Sequence, residues 1–339
     1  MRFGFIPTEG GHFFAQALRE VLLGEELGFH SAWMEEHHGV TNHYWPSPLV
    51  VLAGFATRTS RILLGTNIAV LPFYHPVRAA EDVAMLDIIS GGRAIFGVAI
   101  GYRPQEFALY GAQLENRGAR LSEAIRLMQR LWTEESVTFT GRHYAVSDAR
   151  IEPRPLRPVP IWIGGWGDLS LRRAAELGDA WIPGPTARLE KLLDAQATYR
   201  RHLVKFGRDP GGVPTPLTRE LVIAETEARA RELAERHLLV NYRDEYGKDW
   251  SHPLIGREDG TPVDRLDDLG RDRFLIGTPD QVVRQIERFR ETFGVDHLIF
   301  RTYFPGMPHE HIMNELRLLA KEVMPAFATG DLEVAHDDT

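Results

Sequence analysis

Two periods of apolar residues interleave along the chain. Short, largely apolar runs recur at Arg2–Ile6, Ser31–Met34, Ile62–Val70, Ala94–Ile100, Pro160–Ile163, Ala180–Ile182, Arg219–Ala224 and His297–Arg301, and they predict strands. Between them, apolar positions at helical spacing predict helices over Phe13–Leu27, Ser47–Thr57, Pro76–Ile89, Arg120–Trp132, Leu169–Leu177, Leu189–Phe206, Glu227–Leu239, Thr278–Phe293 and His309–Val323. Boundary residues agree with this division. Gly28 closes the first helix, Ser47 and Thr278 are N-caps, Pro76 opens a first turn, and Gly91–Gly92 follow its helix. A hairpin turning at Thr140–Gly141 is predicted over Val137–Tyr144. Eight strands separated by helices imply parallel pairing and an α/β fold of the (β/α)₈ TIM-barrel type, with a doubly wound open sheet as the alternative.

Two stretches break the alternation. Gly101–Gly118 follows the fourth strand, and Asn241–Arg273 is polar and rich in Asp and Gly. Loops of that length in a compact fold are functional or disordered, so the second is expected to lie over the barrel mouth as a lid at about 241–273. Residues 1–327 are expected to form one domain, and 328–339 a flexible tail.

Composition narrows the classes. The 339 residues are 43% hydrophobic and 25% charged, enough apolar material for a large core. A net charge of −8 disfavours general affinity for nucleic acid or anionic membrane. With no cysteine, disulfides, thiolate metal sites and cysteine nucleophiles drop out. The N-terminus MRFGFIP lacks a signal-peptide pattern and no apolar run spans a membrane, so a cytoplasmic protein is expected.

Four features carry candidate chemistry. Glu36, His37 and His38 follow the second strand, where barrel enzymes place active-site groups; they can move protons, ligate zinc with His43, or be solvated. Adjacent histidines on an extended segment point apart, and no His-x-His follows the first strand, so no metal is expected. Asn67 interrupts the β-branched third strand; its amide suits the edge of a heterocyclic cofactor or bonds to neighbouring backbone. Gly164–Gly165–Trp166–Gly167–Asp168–Leu169–Ser170 joins the fifth strand to a helix and either cradles an anion or makes an ordinary tight connection. Asp168 would repel a phosphate and is expected to point away. Arg301 at the end of the eighth strand binds an anionic group or makes a surface ion pair. No dinucleotide-binding glycine fingerprint, P-loop or nucleophile elbow is present.

Val70-Leu71-Pro72-Phe73-Tyr74-His75-Pro76-Val77-Arg78-Ala79-Ala80-Glu81-Asp82, followed by Leu86-Asp87-Ile88-Ile89-Ser90-Gly91-Gly92-Arg93, resembles a signature stretch of the bacterial-luciferase-like flavin- and deazaflavin-dependent oxidoreductases. Glu36-His37-His38, Gly97–Phe107, Arg117–Trp132, Pro153–Gly165 and Gly277–Asp280 match in the same order. The resemblance implies a catalytic His37 acting as base or proton shuttle near the flavin C4a–N5 locus, with His38 and Glu36 orienting it or lining the pocket. It further implies a cis peptide at Asn67–Ile68 beneath the isoalloxazine ring. Ala99, Ile100 and Tyr102 would flank the ring and ribityl chain, while Gly165, Trp166, Gly167 and Ser170 would hold the phosphate. Arg301 and His75 are candidates for a substrate or anion. The family's luciferase has an Arg where this chain has Ile100, so either the phosphate charge is met elsewhere, with Arg103, Arg117, Arg120 and Arg172 as candidates, or the cofactor is held less tightly.

The function implied first is a monooxygenase in which reduced FMN and O₂ give a C4a-peroxyflavin that oxidises a small organic substrate, with reduced flavin from a separate NAD(P)H reductase. An F420-dependent dehydrogenase or reductase is the alternative, favoured by basic residues beside Gly165–Ser170. A non-catalytic flavin-binding protein and a zinc hydrolase are further rivals. A homodimer through the second and third helices is the family expectation.

Overall fold

Parallel strands curl around a common axis in the computed structural model, which describes residues 1–40, 44–243, 265–269 and 272–328. In chain order the strands are β1 (Arg2–Ile6), β2 (Ser31–Met34), β3 (Leu63–Thr66), β4 (Ala69–Val70), β5 (Ala94–Ala99), β6 (Val137–Thr140), β7 (Ala145–Ala149), β8 (Ile161–Ile163), β9 (Ala180–Trp181), β10 (Pro216–Ile223), β11 (Leu275–Gly277) and β12 (His297–Arg301). The helices are α1 (Phe14–Glu26), α2 (Pro48–Ala56), α3 (Pro76–Ser90), α4 (Pro104–Leu109), α5 (Arg117–Thr133), α6 (Asp168–Leu177), α7 (Leu189–Lys205), α8 (Glu227–Leu233), α9 (Pro279–Phe293) and α10 (His309–Leu318).

Hydrogen-bonded neighbours run β11-β10-β12-β1-β2-β3-β5-β8-β9, with β4 beside β5. From β1 through β2, β3, β5 and β8 to β9 the sheet follows chain order, whereas β10 lies between β11 and β12; the first strand pairs with the last (Arg2 with His297, Ile6 with Arg301), and a helix covers nearly every crossover. This is the (β/α)₈ TIM-barrel fold. Among the described residues only β6 and β7 are antiparallel, forming the separate hairpin. Across the seam between β9 and β10, Arg219 on β10 donates from Nη1 to the Pro185 carbonyl beyond β9 at 3.1 Å.

The hydrophobic pattern reappears in two layers. Outward-facing Leu217, Leu221 and Ile223 of β10 join Val282, Ile286 and Phe289 of α9 in the main core. Inside the barrel Trp33 stacks on Trp162 at 5.0 Å, and His297 bonds the Ser31 hydroxyl at 2.7 Å. Burial, with His30 and Arg2 adding repulsion, holds the His297 imidazole well below its ordinary range.

The structure revises several expected elements. The run Ile62–Val70 is two strands: the ladder stops at Thr66 and resumes at Ala69, and the Asn67–Ile68 peptide between them is cis. The seventh strand starts earlier, at Pro216, and β11 is a strand the pattern did not predict. Gly101–Gly118 contains the short helix α4, and α5 starts at Arg117 rather than Arg120. The Thr278 cap is a full capping box with Gln281, whereas Ser47 makes no side-chain cap bond. Of the expected lid, residues 244–264 and 270–271 lie outside the described residues, as does the tail beyond Ala328. Among the described residues no helix is long and apolar enough to cross a membrane.

Candidate active site

The ends of β2, β4, β5, β8 and β9 open onto one cavity of about 530 Å³, at the C-terminal mouth where barrel chemistry resides. Glu35, Glu36 and His37 come from β2, Asn67, Ile68 and Val70 from the β3–β4 break, and Ala99–Tyr102 from β5. Gly164–Gly167 follow β8, and Ile182 with Gly184–Thr186 follow β9. Helices contribute Glu106, Arg117, Ser170 and Lys191.

The acid–base groups form two networks that diverge from adjacent residues. His37 Nδ1 lies 2.9 Å from Glu106 Oε1, which also accepts from the His38 N–H at 3.0 Å and from Arg103 Nη1 at 2.8 Å. Burial alone would raise the Glu106 carboxyl, but these partners, His37 foremost, hold it below its ordinary range. An imidazole backed by an ionised carboxylate can accept a proton and be stabilised as the cation. His38 turns the other way. Its Nε2 meets Glu36 Oε1 at 2.7 Å and its Nδ1 meets the Tyr110 hydroxyl at 2.8 Å. Glu36 also accepts from the Val70 N–H and the Tyr74 hydroxyl, which pins β2 to the β3–β4 break.

Elsewhere on the lining the glycine turn meets the start of α6. Gly165 has φ +134°, a left-handed conformation that favours glycine, and a Cβ there would sit 2.6 Å from Ser170 Cβ. A Cβ on Gly167 or Gly184 would project into open space. Arg117 spends Nη1 on the Leu114 carbonyl, while its buried Nε has no partner. Asp168 points away, to His202 at 2.9 Å, and Gly167 is the N-cap.

These features fit a group with a flat polar ring and an anionic arm. Asn67 and Ile68 with Ala99, Ile100 and Tyr102 supply a ring platform; Gly165, Trp166, Gly167 and Ser170 with Arg117 and Lys191 supply donors and positive charge for the arm.

Several expected site residues lie elsewhere. His38 is buried behind Glu36, outside the cavity lining. His75 caps α3 by accepting from the Val77 N–H. Arg301 is 2% exposed and serves neither a surface ion pair nor the cavity lining; it holds Glu35 at 3.0 Å, Glu220 at 3.3 Å and the Tyr44 hydroxyl. Asn67 does line the cavity, and its amide donates to Thr218 Oγ1 at 2.8 Å, a side chain across the barrel rather than nearby backbone. Of the four arginines considered for the phosphate, Arg117 lines the cavity; Arg103 serves Glu106, Arg120 lies over Tyr144, and Arg172 over Phe206. His43 lies outside the described residues. Among those described, no three His, Asp or Glu side chains converge as a metal site.

Glu106, Glu35 and Lys191 were missed. Glu106 had a signal: it is an acidic residue just past a proline in the stretch after the fourth strand that broke the alternation. Lys191 had none, since a lysine in an amphipathic helix reads as solvated.

Fold and site together define a barrel oxidoreductase. The luciferase-like monooxygenase family model matches residues 2–297, and the chain belongs to that family. It is 37% identical to an F420-dependent glucose-6-phosphate dehydrogenase of Intrasporangium calvum, over 81% of this chain and 91% of that one. A protein of the same description from Kineococcus radiotolerans is 30% identical over 92% of this chain and 91% of its own. Among solved structures, the monooxygenase RslO1 from Streptomyces bottropensis superposes with a TM-score of 0.84 at 28% identity, covering 97% of this chain and 100% of that chain.

Proposed function

We propose that the protein is an F420-dependent dehydrogenase or reductase acting on a small alcohol or its carbonyl partner. The observation that carries this reading is that Arg117 and Lys191 line the same cavity as Gly165, Gly167 and Ser170, positive charge and backbone donors suited to a cofactor with an extended acidic arm. The F420-dependent relatives support it. Bound there, an oxidised deazaflavin supplies a hydride acceptor. The protein's part is to seat the ring on the Asn67–Ile68 step, hold the arm, exclude water and take the alcohol proton. His37 receives that proton, and Glu106 stabilises the resulting imidazolium. In the reverse direction the same pair returns it.

A second reading, an FMN monooxygenase fed by a reductase, is favoured by the likeness to the RslO1 monooxygenase. Parallel titrations with F420 and FMN separate the two. Tight F420 binding with hydride transfer and no oxygen uptake supports the first; oxygen uptake with reduced FMN supports the second. A homodimer is proposed through α2 and α3, where Val50, Met85 and Ile89 are exposed. Sedimentation at micromolar concentration tests it, and a monomer rules it out.

A further inference from the structure

The bond to Glu106 fixes one corner of the His37 imidazole. Nδ1 lies 2.9 Å from Glu106 Oε1, and the ring can still turn about that line, which carries Nε2 through an arc. A proton acceptor works only when held within a fraction of an ångström of its target, so the plane of the ring needs a second support. Tyr44 supplies one. The two rings meet edge to face, with centroids 4.6 Å apart and planes at 72°. Tyr102 approaches the imidazole less closely, at 6.3 Å, from the cavity wall itself.

Two features fit Tyr44 for this task. Its hydroxyl accepts from Arg301 Nη2, and that guanidinium is itself fixed on β12 by Glu35 at 3.0 Å and Glu220 at 3.3 Å. Tyr44 and Arg301 are both buried, so neither swings into solvent. The Tyr44 backbone also sits at φ +78°, a left-handed conformation that a bulky residue rarely takes. Such a conformation persists where the surroundings enforce it, and residues of this kind cluster at active sites. Resting on the proton-acceptor role of His37, we propose that Tyr44 is a positioning residue: Arg301 holds its ring, and its ring holds the plane of the His37 imidazole so that Nε2 stays in line with the substrate proton. Arg301, whose place at the end of a strand suggested an anion site, then acts on the reaction through Tyr44 without touching the reactants.

Relaxation dispersion of the His37 ring carbons in the purified, histidine-labelled protein tests this, the signals being assigned by their loss in His37→Gln. A flat profile is expected in wild type, a clear exchange contribution in Tyr44→Leu, and a smaller one in Tyr44→Phe, which keeps the ring and loses the bond to Arg301. Equal profiles in wild type and Tyr44→Leu overturn the proposal; should Tyr44→Leu not fold, equal profiles in wild type and Tyr44→Phe do so. With F420 and propan-2-ol, Tyr44→Leu is expected to slow single-turnover hydride transfer about tenfold or more, with the F420 dissociation constant within about threefold of wild type. An unchanged rate, or a loss of affinity as large as the loss of rate, overturns it. If wild type transfers no hydride, or His37→Gln transfers it as fast, the reading of the function fails separately, and the dispersion profiles alone decide whether Tyr44 holds the ring.

Discussion

Replacing Glu106 with Gln keeps the shape of the side chain and removes its charge. In the folded protein one oxygen, Oε1, serves three donors: His37 Nδ1 at 2.9 Å, the His38 N–H at 3.0 Å and Arg103 Nη1 at 2.8 Å. At 2.9 Å and an effective dielectric near 20, the carboxylate–imidazolium attraction is about 6 kcal/mol before desolvation is subtracted. A hydrogen bond to a charged group contributes about 1.5–3 kcal/mol and a neutral one about 0.5–1.5, so losing the charge toward His37 and Arg103 costs roughly 2–3 kcal/mol of stability. The rate should suffer more, because the imidazolium forms only as the substrate proton moves. A loss of roughly 10²–10³ in kcat is expected, with cofactor affinity within about threefold of wild type. The acid limb changes too. The Glu106 carboxyl lies below its ordinary 4.5, so its stabilisation is complete above that pH and is lost as pH falls through the folded value. Chemical denaturation between pH 3 and 7, which is about the range where carboxylates titrate, should show a shallower loss in the variant than in wild type. Single-turnover kinetics with saturating cofactor give the chemical step. Glu134→Gln, which alters an exposed pair with Arg130, should change neither quantity. A Glu106→Gln enzyme that binds cofactor normally and reacts within about threefold of wild type would falsify the proton-transfer account.

Three further outcomes follow from the geometry. Arg117→Ala and Lys191→Ala should each weaken cofactor binding about tenfold while leaving kcat at saturation within about threefold, and Lys191→Arg should retain most of the affinity, all read by equilibrium titration. Gly97→Ala would place a Cβ 1.9 Å from the Thr66 carbonyl oxygen, a backbone clash in the paired strands β3 and β5, so a loss of about 3 kcal/mol or more is expected in urea unfolding; an unchanged midpoint would contradict the packing described. The buried imidazole of His297 lies below its ordinary 6.5, so the unfolded chain takes up the extra proton. Stability should therefore fall as pH drops below about 6.5, by at most about 1.4 kcal/mol per pH unit from this group, and His297→Gln should flatten that slope whatever its effect at pH 8.

The barrel was legible because its physics is local. Strands buried on both faces must be apolar, and Arg2–Ile6, Ser31–Met34 and His297–Arg301 carry that requirement in consecutive residues. β11 escaped because it is three residues long, Leu275–Gly277, and takes its place by pairing with Leu221–Ile223 rather than by its own pattern. The break at Asn67–Ile68 was visible as a polar residue in an apolar run, but that the run divides into two strands depends on backbone geometry no periodicity encodes. Within the site, positions fixed by strand ends or glycine turns could be placed from the chain, as with His37, Asn67, Gly165 and Ser170. Residues whose roles arise from distant neighbours could not. His38 looked equivalent to His37 until the structure turned one toward Glu106 and the other toward Glu36 and Tyr110. Arg301 looked like an anion site until Glu35, Glu220 and Tyr44 were found around it.

The central claim is that Arg117 and Lys191 on the cavity wall select a deazaflavin. Fluorescence titration of the purified protein with F420 and, separately, with FMN measures this directly. The account predicts an F420 dissociation constant at least about tenfold below that of FMN, with the preference lost in the Arg117→Ala/Lys191→Ala double variant. Equal or tighter binding of FMN, or a preference that survives the double variant, would contradict it.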